Sequence, residues 1–113
     1  MKNPSIKESR ERDAVRLAER QNENPTPEQI EEARRTMTKY YRFVAAYQRS
    51  FYTEQSRTAS EAEKAAADDK SERAHKRAAE ALKNYRLRIS CPGLYPIIEE
   101  ENGINFTYGY FYN

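Results

Sequence analysis

Apolar residues Ile30, Ala33, Met37, Tyr40, Val44, Tyr47 and Phe51 follow one another at alternating spacings of three and four. That repeat keeps them on one side of an α-helix and predicts packing along a seam against another helix. From Glu28 to Cys91 the chain contains neither glycine nor proline, so nothing in that span forbids helix. The start is well marked: Thr26 can cap, Pro27 suits the first helical position, and Gln29 stands where it can bond back to the cap. Beyond Phe51 the repeat fails, because Glu54, Thr58 and Glu61 would fall on the seam. A turn is expected near 54–60, with Thr58–Glu61 or Ser60–Glu63 restarting the helix. Without the turn, residues 27–89 would form one rod on the order of 95 Å long.

The second helix is alanine-rich. Its inner face is read as Ala67, Ala74, Ala78, Ala81, Leu82, Tyr85 and Ile89, small residues that complement the bulkier seam opposite. Cys91-Pro92-Gly93 is expected to stop it. Upstream, Ser5 and Glu8 mark the start of a short helix over residues 6–21. Downstream, Leu94 to Ile98 and the alternating aromatic run Ile104 to Tyr112 flank Asn102-Gly103, a hairpin signal. Pro96 would confine the first of these strands to an edge or bulge. The fold expected is α+β and mostly helical: an antiparallel helical hairpin, with coiled-coil character, a short N-terminal helix and a C-terminal β-hairpin. One domain is expected, with residues 1–25 as helix and linker, 26–90 as the helical hairpin and 91–113 as the β-hairpin.

Core-forming residues are scarce. Leu, Ile, Val and Phe total 16 of 113 residues, a level at which small domains bury little and a homodimer or tight complex becomes attractive. Nine tyrosines, and alanines where helices approach closely, supply additional packing. The single cysteine, Cys91, permits no internal disulfide, and neither a spanning segment nor the apolar core of a signal peptide is visible. A cytoplasmic location is expected.

Catalytic or cofactor chemistry has little to stand on. His75 is the only histidine and reads as a solvated helix residue; Cys91 lacks a nearby base in sequence; Glu99–Glu101 and Asp68-Asp69 lack the alternating ligand spacing of a calcium loop. The expectation is no enzyme, no cofactor and no metal.

Charge is more informative. The net charge of +2 hides two basic blocks. Residues 33–53 hold Arg34, Arg35, Lys39, Arg42 and Arg49 with no acid, and residues 70–88 include Arg73, Lys76, Arg77, Lys83 and Arg86. A chain that reverses near residue 58 would lay these blocks side by side as one band. Arg35, Arg42 and Arg49 recur every seven residues and form a row opposite the apolar seam. Tyr41, Phe43 and Tyr52 lie off the seam beside them, and exposed aromatics among arginines suit a recognition surface. Tyr108 and Tyr110 could add a strand edge for a partner.

The function expected is that of a non-enzymatic regulator or inhibitor docking on another protein or nucleoprotein complex, specifically one that handles nucleic acid. Direct nucleic-acid binding through phosphate contacts, or a structural coiled-coil adaptor, are the alternatives. No membrane partner is expected. Small size, charged helices and an aromatic hairpin are together common among phage and mobile-element accessory proteins, a likeness of type only.

Overall fold

The computed structural model describes residues 5–101 and 106–108. Helices α1 (Ile6–Glu19), α2 (Pro27–Gln55) and α3 (Glu61–Lys83) precede strands β1 (Leu87–Ser90), β2 (Ile97–Glu100) and β3 (Phe106–Tyr108). The fold is α+β and mostly helical. The backbone divides into two compact units, Met1–Thr38 and Lys39–Asn113, with the boundary inside α2. Among the described residues no helix is long and apolar enough to cross a membrane.

In the first unit, both helix starts form as the sequence predicts. The Ser5 hydroxyl accepts from the Glu8 amide at 3.1 Å. Thr26 and Gln29 cap each other, the Gln29 amide donating to Thr26 Oγ1 at 3.1 Å and the Thr26 amide to Gln29 Oε1 at 2.8 Å. Leu17, Ala14 and Ala18 of α1 and Ala33 and Met37 of α2 are buried.

In the second unit, the chain doubles back between Gln55 and Glu61, so α2 and α3 form the antiparallel hairpin and not the rod. The turn needs no glycine or proline. Instead, the Ser56 hydroxyl accepts from the amides of Thr58 and Ala59, both at 3.3 Å. Of the two restart signals, Ser60–Glu63 is used. Glu63 N donates to Ser60 Oγ at 3.1 Å and Ser60 N to Glu63 Oε1 at 3.3 Å, a reciprocal cap.

Two expectations about the core need correction. Phe43, expected as an exposed aromatic off the seam, is buried, and so is Ala46; Val44 and Tyr47 are half-buried and Phe51 is exposed. The buried stripe of α2 therefore leaves the strict heptad, because this part of the helix has two neighbours. One is α3, where His75, expected in solvent, is half-buried with its ring 5.0 Å from Phe43 in an edge contact. The other is the connection between β1 and β2. The Tyr40 hydroxyl donates to the Pro96 carbonyl at 2.7 Å, a buried bond, and the Tyr47 hydroxyl donates to the Gly93 carbonyl at 3.0 Å.

The end of α3 also differs. The helix stops at Lys83, not at Cys91-Pro92-Gly93. Its last turn tightens, with the amides of Tyr85 and Arg86 donating to Leu82 and Lys83 carbonyls at 2.9 and 3.0 Å. Arg86 then takes a left-handed φ of 59° and turns the chain into β1. Ile89, assigned to the helix face by sequence, lies in that strand. Residues 81, 82, 85 and 89 satisfy a helical period, yet 85, 87 and 89 satisfy a strand period equally well. Pairing with a distant segment decides between them.

The sheet has three antiparallel strands in the order β1-β2-β3, one more than the expected hairpin. β2 is central rather than an edge. Pro96 is compatible with that because it lies just before the ladder, where its missing N–H costs no strand bond. Arg88 pairs opposite Glu99, and their side chains form an ion pair at 2.9 Å. β3 joins β2 through Ile98–Tyr108 and Glu99–Phe106, with an irregularity between them. The Asn102-Gly103 turn and Tyr110 lie outside the described residues.

Removing the Tyr40 hydroxyl leaves a buried carbonyl without that donor, whereas the Tyr47 bond is exposed. Tyr40→Phe is expected to lower unfolding free energy by about 1–2 kcal/mol and Tyr47→Phe by about 0.5 kcal/mol or less. Urea denaturation of the two variants checks the order.

Candidate functional site, a cationic groove between α2 and α3

The hairpin register places the basic blocks on either side of one groove. Arg42, Ala45, Ala46, Arg49 and Thr53 line it from α2. Glu63, Ala66, Ala67, Lys70, Arg73, Ala74 and Arg77 line it from α3. Each set advances by threes and fours, so each is one face of its helix. The groove encloses about 940 Å³.

Side-chain size explains why it is open. Phe43 and His75 meet across the two helices within the stretch that the groove spans. Beside them, alanines from both helices face the same gap and are too short to fill it. On α2 the groove face lies well away from the sheet-facing tyrosines. At about 100° per residue, Tyr47 is about 200° round the helix from Arg49.

Electrostatics follow from the lining. It contains five cations, Arg42, Arg49, Lys70, Arg73 and Arg77, and one carboxylate, Glu63. Arg73 is held by Asp69 at 2.8 Å. Among the described residues, Arg42, Arg49, Lys70 and Arg77 form no salt bridge. All four are exposed, so their charge faces solvent.

The structure thus brings together only part of the expected band. Arg42, Arg49, Arg73 and Arg77 converge on the groove. Arg34 and Arg35 belong to the first unit and are engaged by carboxylates there. Arg34 grips Glu11 through two nitrogens, at 2.6 and 2.9 Å, and also pairs with Glu31. Arg35 meets Glu32 at 3.2 Å and Glu31 at 4.0 Å. Lys39 is exposed on α2. Lys76 and Lys83 are exposed on α3 but outside the groove lining, and Arg86 is exposed at the helix-to-strand junction. Tyr41 is half-buried with its ring 5.8 Å from that of Tyr40. Tyr52 is 60% exposed and packs edge-on against Phe51 at 5.7 Å. Tyr108, in β3, pairs through its backbone with Ile98 of β2.

Sequence reasoning missed Lys70 and the alanine floor as site components. The signal for Lys70 was present: it precedes Arg77 by seven residues, as Arg42 precedes Arg49. No similar signal marks Ala45 and Ala66, since alanine suits any helix position.

Elsewhere, no group of three or more His, Cys, Asp or Glu among the described residues could hold a metal ion. Comparison with known proteins finds no matching family model, no matching curated protein and no matching solved structure.

The hydrogen bonds from Arg34 hold the Glu11 carboxyl below its ordinary value and raise the guanidinium correspondingly. A depressed carboxylate pKa stabilises the fold at neutral pH, and the benefit is lost as pH falls through the lowered value. Glu11→Gln is therefore expected to lower the melting temperature at pH 7 and to match the parent near about pH 2, where both side chains are neutral. The pH 7 difference should shrink in high salt, as the pair is exposed. Cys91, though exposed, is desolvated enough to push its thiol up. Iodoacetamide should modify it more slowly at pH 8 than it modifies free cysteine, because the thiolate is the reacting form.

Proposed function

We propose that the protein is a non-enzymatic binding protein that captures an acidic protein surface through the α2–α3 groove, acting in the cytoplasm as a small regulator of its partner. The observation that carries this reading is the convergence of Arg42, Arg49, Lys70 and Arg77 on one groove without internal salt bridges among the described residues. Guanidinium groups suit carboxylates because their planar fork donates two parallel bonds.

Nucleic acid is the other polyanion such cations could meet. No aromatic residue lines the groove. Phe43 is buried against His75. Tyr41 is half-buried near Tyr40. The stacking platform expected of a single-strand binder is therefore missing at the groove, which favours protein carboxylates over bases.

Arg42, Arg49 and Arg77 replaced together by Glu should abolish capture of the partner from a lysate of the source cells, while circular dichroism shows the helical fold retained and melting is no lower than the parent's. The parent should elute a protein-dominated fraction, judged by absorbance at 260 and 280 nm, in amounts that fall as salt rises. Equal capture by the triple variant overturns the reading. A nucleic-acid-dominated eluate, lost in the same variant, transfers it to phosphate binding.

A further inference from the structure

Resting on that reading, we infer that the groove accepts a single acidic amphipathic α-helix of another protein, which completes a three-helix bundle with α2 and α3.

Three features of the groove select a helix. First, the walls are helical faces with matching periods: 42, 45, 46, 49 and 53 on one side, 63, 66, 67, 70, 73, 74 and 77 on the other. A third helix lying between two others meets each through such a stripe, with its own residues interleaved at spacings of three and four. Second, the floor is alanine on both walls, and the gap of about 940 Å³ is left by short side chains rather than by separated strands or loops. Large aliphatic residues of an incoming helix fill such a space, since large opposite small is how helices interdigitate. Third, the cations come from both walls. Arg42 and Arg49 stand on α2, Lys70 and Arg77 on α3. A ligand helix with carboxylates on both flanks of an aliphatic stripe satisfies both walls at once.

The length follows from helix geometry. The lined stretch is about 17 Å along α2 and about 21 Å along α3, at about 1.5 Å per residue. A ligand helix of three to four turns, about 12–15 residues, spans it.

A second copy of this chain is a poor occupant by the same groove. Face-to-face pairing would set each copy's five lining cations against the other's, with one lining carboxylate apiece to offset them. Like charges at close approach oppose that association.

The test is a display selection on the full chain. One library of 14-residue peptides carries Leu, Ile, Met or Phe at positions 1, 4, 5, 8 and 12, with Glu on both flanks. A matched library carries Lys on the flanks. Selected peptides are then measured by fluorescence anisotropy against the parent, against Arg42→Glu with Arg77→Glu, and against Ala45→Leu with Ala66→Leu. The last pair fills the groove from two exposed positions and leaves the charge and the buried core intact. A 14-residue poly-glutamate and a 30-nucleotide single-stranded DNA serve as comparison ligands.

The Glu-flanked library should enrich, and the winning peptides should gain helix on binding by circular dichroism. Their affinity should fall about tenfold or more in each double variant. Poly-glutamate should bind weakly and lose affinity only with the arginine replacements. Peptides that bind the filled groove as well as the parent, or that stay unstructured, overturn the helix inference while leaving acidic capture standing. Tighter binding of the DNA than of any peptide overturns the protein occupant. Enrichment of the Lys-flanked library, or no binding by any acidic ligand, overturns both this inference and the function on which it rests.

Discussion

The reversal between Gln55 and Glu61 sets everything that follows in the second unit. It is built from short polar contacts. Ser56 takes two backbone amides, and Ser60 and Glu63 exchange two more bonds to begin α3. These fix where α3 starts, hence which of its faces meets α2. A one-residue shift of that start would rotate every α3 side chain by about 100°. Lys70 and Arg77 would then leave the groove, and His75 would lose its edge contact with Phe43. The register of the cations is thus inherited from a turn that carries none of them.

Side-chain volume then divides the hairpin by face. On the side facing the β1–β2 connection stand Tyr40 and Tyr47, whose hydroxyls bond its backbone carbonyls, and Phe43 meets His75 of α3. On the groove face, Ala45 and Ala46 of α2 meet Ala66, Ala67 and Ala74 of α3, and no aromatic residue lies among them. Scarcity of large aliphatics, visible in composition as a thin core, takes a specific spatial form. The large side chains gather on one face of the hairpin and the deficit becomes a groove on another.

What sequence could show was local, and what it missed was not. The caps at Ser5, Thr26 and Ser60 involve residues three apart, and all were readable. So was the reversal near residue 58, because the seam broke where polar residues gathered. The seam itself was read as a strict heptad, but Phe43 is buried and Phe51 is exposed. A repeat identifies a helix and a side; it does not say that a second neighbour will widen the buried face. The stretch 84–90 was read as helix because its apolar residues fit that period, and only pairing with Ile97–Glu100 makes it a strand. The charge blocks were legible, but their use was not. Arg34 and Arg35 each had a glutamate three residues earlier, a local sign of pairing. Glu11, which Arg34 grips through two nitrogens, lies on another helix and gave no such sign.

The distribution of pairing is itself an argument about the groove. The chain carries 18 acidic residues against 20 basic ones, enough to neutralise nearly all of them. In the first unit Arg34 and Arg35 take three glutamates between them, and on the sheet Arg88 takes Glu99. Arg42, Arg49, Lys70 and Arg77 are left facing one gap, where their mutual repulsion works against the close approach of α2 and α3. A ligand carrying carboxylates removes that repulsion as it fills the space between the helices. Binding and hairpin stability are then linked, since whatever occupies the groove favours the folded state by mass action. Small side chains and unneutralised charge each weaken the isolated hairpin, and a single acidic helix would correct both at the same surface.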